Sequence, residues 1–332
     1  MPFPTLDRLG VRNFAGTQPV TTAAEYELFK KEYTVDIIKR FNEKIVFANR
    51  LMKRQIASGT GASFPLTGKT TARYHIPGVS PDLTGTNGLP QSEKTINVDR
   101  PIVSDIMVHS VDELMAHVDV RAERSKQMAD ALVRKMDQNL ARLVTLTSRA
   151  SALVTGSPTG GKIYIADIDT DPEVLATAIL RAVAKLATNE VPLDFGEVSC
   201  VLPTAQYFAL LETDTIVHMD YNNSSGGTSP IRTGKVPTIA GCPIDYSPNI
   251  PSTNITEAEA GVDPGNTYHG NFTTTQGLVF HRSCVGSVQL MDIKFEQEYS
   301  VAKQGTLFVA KMMVGSGYLR PEAAVELSSD NS

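Results

Sequence analysis

The 332-residue chain has no tryptophan, only three cysteines and no apolar run long enough to cross a bilayer. A membrane-spanning helix needs about 20 consecutive apolar residues, so that class is excluded. Cys200, Cys242 and Cys284 are odd in number, far apart and free of any CxxC pair. They encode neither a disulfide framework nor a zinc knuckle, and point to buried, reduced thiols of a cytosolic setting. Met1 to Gly10 lacks the charged-then-apolar pattern of a secretory signal. An excess of one charge sign is also missing: 31 basic against 36 acidic residues give a formal charge of −5, which argues against a surface devoted to coating nucleic acid.

The sequence is equally short of recognisable chemistry. Among six histidines the closest pair is His109 and His117, and no HExxH, GxSxG or Cys/His constellation occurs. No catalytic residue, cofactor-binding residue or metal ligand can be nominated. Gly156 to Lys162 fits the GxxxxGK half of a phosphate loop, but Ile163 replaces the Mg²⁺-binding hydroxyl and the loop leaves a helix and enters a strand. Gly68-Lys69-Thr70 has the complementary half with Ser63 in place of the first glycine, and is expected at a hairpin tip. Asp167, Asp169 and Asp171 imitate the opening of a Ca²⁺ loop, yet Pro172 and Ala178 stand where Gly and a bidentate Glu belong. A strand end running into a capped helix explains them better. A chain of this size without a site acts through surfaces.

What is present is an ordered set of elements. Residues 1 to 21 read as an extended arm carrying Phe3, Leu6, Leu9, Val11 and Phe14. Thr22 to Glu25 has capping-box spacing ahead of an amphipathic helix through Ile45. From Lys39 to Arg54 six basic residues face one acid, Glu43, for a local net of +5, read as a solvated helix face or a contact with an acidic partner or packaged nucleic acid. Residues 58 to 100 are a glycine-punctuated β-excursion that cannot bury a core of its own. Thr95 to Val108 alternates toward strand, and Ser110 to Glu113 opens a helix whose apolar spacing runs to about residue 150, some 60 Å of rod. Lys162 to Ile168 reads as a strand, Asp171-Pro172 as the cap of a helix, Val198 to Leu202 as a strand and Thr204 to Glu212 as a short helix. Residues 213 to 277 are expected to be long loops around a strand near Ile244; strands from Cys284 to Phe295 and Gly305 to Val314 follow, then an acidic tail from Glu322. The fold class is α+β.

Several of these stretches together resemble the major capsid proteins of T7-like tailed phages, podoviruses whose shells are built on the HK97 fold. Phe64-Pro65, Gly68, Tyr74 and Pro77-Gly78 match that family's hairpin segment, and Asp119-Val120-Arg121 its start of the long helix. His281-Arg282-Ser283 with Val285-Gly286, and Gly317-Tyr318-Leu319-Arg320-Pro321-Glu322-Ala323-Ala324, match its closing blocks in the right order. The resemblance implies an N-arm at residues 1–57, an E-loop at 58–104, a P-domain spine helix at 105–152, an A-domain at 153–283, returning P-domain strands at 284–316, and a C-terminal segment at 317–332 set against the A-domain. It further implies a non-enzymatic virion protein. Copies would form hexamers and pentamers of an icosahedral shell, usually of triangulation number seven, around double-stranded DNA contacted non-specifically. A scaffolding protein and a portal protein would guide assembly of an expanding procapsid in the bacterial cytoplasm, with room for a decoration protein and no membrane. Arm and E-loop would expose apolar groups for neighbours to cover. An encapsulin-like compartment is the rival with the same fold, and a P-loop nucleotidase the enzymatic one. The E-loop Lys-to-Asn cross-link of some HK97-fold shells would fall to Lys69, for which the sequence offers no evident Asn and Glu partners.

Overall fold

The computed structural model describes residues 45–70, 72, 74, 77–78, 89–109, 120–194, 196–212, 236, 238–257 and 266–330. In chain order its elements are β1 (Met52–Gln55), β2 (Gly61–Thr67), β3 (Gln91–Asn97), β4 (Ile102–His109), α1 (Val120–Arg149), β5 (Gly161–Tyr164), α2 (Pro172–Thr188), β6 (Val198–Leu202) and α3 (Thr204–Leu211). There follow β7 (Ile244–Tyr246), β8 (Asn254–Ile255), β9 (Gly270–Asn271), β10 (Thr275–His281), β11 (Val285–Ser300), β12 (Gly305–Tyr318), a 3-10 turn (Pro321–Ala323) and β13 (Ala324–Ser328). The expected arm, the helix before Ile45, the cap at Ser110 to Glu113 and most of the 213–265 loop region lie outside the described residues. Among the described residues no helix is long and apolar enough to cross a membrane.

The chain divides into two compact units, each drawn from separated stretches. The smaller contains Pro101–Val133 and Met291–Met312. In it β4 pairs antiparallel with the first half of β12, from Gly305 opposite His109 to Met312 opposite Ile102. Alternation along these strands buries Val108, Phe308, Ala310 and Met312, and Phe308 stacks on Phe295 of β11 at 5.8 Å. Met128, Ala129, Leu132 and Val133 of α1 are buried at helical spacing, and Arg124 Nη1 donates to the Met107 carbonyl at 2.7 Å, tying helix to strand.

The larger unit contains Val46–Arg100, Arg134–Leu290 and Met313–Ser332. Its centre is a mixed sheet in the order β5-β13-β10-β6-β7. β13 lies antiparallel to β10 and parallel to β5, and β6 is antiparallel to β10 and parallel to β7. Leu175, Ala178, Ile179, Ala182, Val183 and Leu186 form the buried face of α2. Asp171 caps that helix by accepting the Glu173 N–H at 2.9 Å, with Pro172 in its first turn. Beyond Thr188 the chain turns through Glu190, whose φ of 58° is left-handed, and Val191 N–H returns to the Leu186 carbonyl.

Several expectations change. The described part of α1 is 30 residues, or about 45 Å, and residues 110–119, where the expected 60 Å rod would begin, lie outside the described residues. β5 ends at Tyr164, short of Ile168, because Asp167 takes a φ of 63° and its carbonyl accepts the N–H groups of Thr170 and Asp171. The run from Thr95 to Val108 is two strands, broken before Pro101. The basic residues Lys53 and Arg54 stand on the exposed strand β1 rather than on a helix, and Arg50 pairs with Asp245. β10 falls partly in what reads as loop.

The acidic tail departs most. Glu326 is fully buried in β13, between β5 and β10. It is compensated by Arg149 at the end of α1, whose Nε and Nη2 donate to the two Glu326 oxygens at 2.7 and 2.6 Å, while Thr275 Oγ1 donates to Oε1 at 2.7 Å. The guanidinium also lies over the Phe272 ring. A two-pronged charged pair of this kind costs most when only one partner is removed. Arg149→Ala, leaving a buried carboxylate, is expected to destabilise the isolated chain by about 3 kcal/mol, and Arg149→Ala with Glu326→Leu by less, in urea denaturation.

Candidate functional site: the foot of the β2–β3 hairpin

β2 and β3 pair antiparallel from Gly61 opposite Asn97 to Thr67 opposite Gln91. Alternate positions of β2, Ala62, Phe64 and Leu66, turn to one side, where they are buried with Ile96, Val154, Val288 and Leu319. The hairpin therefore covers its apolar face within its own chain. At this foot the expectation that neighbouring copies supply the cover is not met; the arm and residues 79–88 of the excursion lie outside the described residues. The reason is long-range: β2, the loop after α1, β11 and the segment after β12 each supply part of the cluster.

Glycine makes the approach possible. A Cβ on Gly315 would collide with the Asn97 carbonyl and stand 2.7 Å from Val98 Cα; one on Gly317 would stand 2.9 Å from Ile96 Cγ1, and one on Gly286 2.7 Å from Leu319 Cδ1. Around this contact Asp99, nearly buried, accepts the hydroxyl of Tyr268 at 2.5 Å and the amide of Asn266, which also donates to the Asn97 carbonyl at 2.8 Å. Burial and the Asp99 charge push the Tyr268 phenol far up, so it stays a donor, while its oxygen accepts the Ser316 N–H at 3.1 Å.

Gly68-Lys69-Thr70 is not at a hairpin tip. Gly68 closes the described ladder, donating to the Pro90 carbonyl at 2.8 Å, with Pro90 and Val154 filling the space a side chain would take. Lys69 meets Glu190 Oε2 at 2.5 Å and the Asn189 backbone carbonyl at 3.4 Å. Thus an Asn and a Glu do stand beside Lys69, which the sequence did not disclose; but the Asn189 amide is engaged, donating to the Glu322 carbonyl at 3.0 Å. Glu322 in turn accepts Arg320 Nε at 2.8 Å.

The other nominated motifs resolve into structure. Gly160 fits against the Thr147 and Ser148 carbonyls at the C-terminal end of α1. That end carries partial negative charge, which repels phosphate, so the Gly156 to Lys162 loop is no nucleotide site. The carboxylate of Asp171 is spent on its helix cap. Among the described residues no group of three or more His, Cys, Asp or Glu is set to hold a metal. The three cysteines are free and buried, and burial pushes the Cys242 thiol up to about 12.

One constellation went unseen because Glu197 is 84 positions from its partner. His281 Nδ1 accepts the Ser283 N–H at 3.2 Å and so carries no proton; the Ser283 hydroxyl donates to it at 2.8 Å, and Nε2–H donates to Glu197 at 3.0 Å. This has the order of a serine–histidine–carboxylate relay. It lacks oxyanion donors: Arg282 N–H is held by the Glu197 carbonyl, Cys284 N–H by the His281 carbonyl, and Ser283 N–H by the ring. The cluster, with Arg282 on Glu197 at 3.0 Å, locks the turn between β10 and β11.

Two predictions follow from this geometry. Gly315→Ala meets rigid backbone and Gly317→Ala a movable Ile96 side chain, so both should destabilise, the former by more than about 2 kcal/mol and the latter by about 1, in the same denaturation assay. Burial lowers the His281 pKa despite Glu197, so below 6.5 the unfolded chain takes up the proton first. Stability conferred by His281 is therefore present above pH 6.5 and lost as pH falls through the lower folded value; the stability difference between wild type and His281→Gln should shrink between pH 7.5 and 5.5.

The chain matches the Gp10A-like major capsid protein family over residues 63–328. It is 29% identical over 336 aligned residues to the major capsid protein of Enterobacteria phage T3, covering 92% of each chain. To the major capsid protein of Escherichia phage T7 it is 28% identical over 331, covering 93% of this chain and 94% of that one. Among solved structures, the capsid of the cyanophage P-SCSP1u aligns at 32% identity and a TM-score of 0.74, over 97% of this chain and 93% of that chain. The architecture is that of HK97-like phage capsids. The chain belongs to the Gp10A-like family of major capsid proteins, structural proteins of the virion of T7-like tailed phages.

Proposed function

We propose that the protein assembles as hexamers and pentamers of one polypeptide into an icosahedral head of triangulation number seven that encloses double-stranded DNA. Assembly proceeds in the host cytoplasm on a scaffolding protein around a portal, giving a round procapsid that expands as DNA enters. A decoration protein is a further candidate partner of the shell. No catalytic step, cofactor or metal is part of this role. The observation that carries the reading is the family match over residues 63–328. The packed hairpin foot gives it a physical rationale: strands Gly61–Thr67 and Gln91–Asn97 are anchored in the body of the chain through Phe64, Leu66 and Ile96.

In this reading the N-arm is 1–57, the E-loop 58–104, the spine helix of the P-domain 105–152, the A-domain 153–283, the returning P-domain strands 284–316, and the closing segment 317–332. Heterologous contacts in five-fold and six-fold rings must tolerate small changes of angle, and arm and loop supply that tolerance. The residues of the Lys39 to Arg54 stretch other than Arg50 remain candidates for salt-dependent contact with scaffold or DNA.

Co-expression with a scaffold, examined by negative-stain microscopy, tests the reading. Closed shells or capsomer rings are expected. A persistent compact monomer would overturn it, and shells holding an enzyme cargo without a portal vertex would favour the encapsulin-like compartment.

A further inference from the structure

We propose that the carboxyl group of Asp137 is a proton-controlled clamp on the root of the first 45 residues, and that it tightens as the pH falls. Asp137 lies within α1 and is fully buried. Its Oδ2 accepts the Val46 N–H at 3.0 Å, and the backbone N–H groups of Phe47 and Ala48 also favour the carboxylate's charged form. This turn, closed by Arg50 N–H on the Phe47 carbonyl at 2.9 Å, is where the chain joins the larger unit. Phe47 is fully buried and stacks on Phe280 at 5.8 Å, so the root is seated as well as hydrogen-bonded.

The other carboxylate oxygen, Oδ1, is buried and makes no hydrogen bond, which leaves it free to carry a proton while Oδ2 keeps its donors. The charges facing Asp137 are Lys53 and Arg50, both on the segment it clamps. Arg50 pairs with Asp245 through Nη2 while its Nη1 is buried without a hydrogen-bond partner, and Lys53 donates to Asn49 at 3.4 Å. Cys200 and Cys242, from β6 and β7, lie near Arg50 with thiols pushed up by burial, and so add no charge. Burial therefore prevails over the backbone donors and raises the Asp137 pKa from 3.8 to about 6.

When the root opens, water reaches Asp137 and its affinity for the proton falls. The closed root binds the proton more tightly, so acidification favours it; the closed-to-open ratio should rise about tenfold between pH 7 and pH 5. Hydrogen exchange of the full chain, followed by mass spectrometry on peptides covering 46–50 and corrected for intrinsic rates, reads this ratio. The expected result is about tenfold greater protection at pH 5 in wild type and none in Asp137→Asn. Protection that stays flat or falls in wild type, or that rises equally in the variant, would overturn the proposal. Should Asp137→Asn not fold, carboxyl ¹³C titration of wild type decides: a midpoint near 6 supports the clamp, and one near 3.8 refutes it.

Discussion

How close the strand Gly315–Tyr318 can come to the backbone of Asn97 and Val98 decides how the larger unit is put together. With no Cβ at Gly315 or Gly317, β12 runs directly against the end of β3, and Ile96 slides over it. Gly286 does the same for Leu319. An isolated two-stranded hairpin is marginal in water, whereas each large apolar side chain it buries contributes about 1.5–3 kcal/mol. Phe64, Leu66 and Ile96 meet that need from the hairpin side, and Val154, Val288 and Leu319 from the body. The glycines are thus not loop punctuation. They set the distance on which the burial of the hairpin's Ala62, Phe64, Leu66 and Ile96 face depends.

The same unit keeps much of its negative charge indoors. Asp99, Asp137 and Glu326 are all buried, and each is held differently. Glu326 has the Arg149 guanidinium, Asp99 the Tyr268 hydroxyl and the Asn266 amide, and Asp137 a set of backbone N–H groups. The first is an ion pair, and the second a neutral-donor site that raises the donor's pKa. In the third, desolvation prevails and the acid itself is raised. A formal charge of −5 says little about such a surface, because several of the acids that enter it never reach solvent.

Local periodicity carried much of the fold in the sequence. α2, with its Asp171 cap and apolar stripe, and β6 at Val198–Leu202 were legible because their signals fit within one element. β13 was not, since Glu322, Glu326 and the serines near them look like a solvated tail until Arg149, 177 positions away, is brought alongside. The hairpin was legible as β-structure, but its partners were hidden for the same reason: Phe64 and Leu319 are separated by most of the chain. The turn lock at His281 needed Glu197, and the setting of Lys69 needed Asn189 and Glu190, neither of which any local pattern announces.

The span of the family relationship follows the same physics. It begins at Ser63, on the first strand of the hairpin, and ends at Ser328, the last residue of β13. Between them lie the three glycines of the close contact, the turn at His281 and the Arg149–Glu326 pair, all of which constrain one another across long sequence distances. Residues just before that span are tied to it as well: Val46 to Asp137, Phe47 to Phe280, Arg50 to Asp245, and β1 alongside β11. In a shell protein the interior of each copy must hold a fixed shape. A body whose remote segments lock together through backbone contact, as Gly315 does against Asn97 and Val98, meets that requirement.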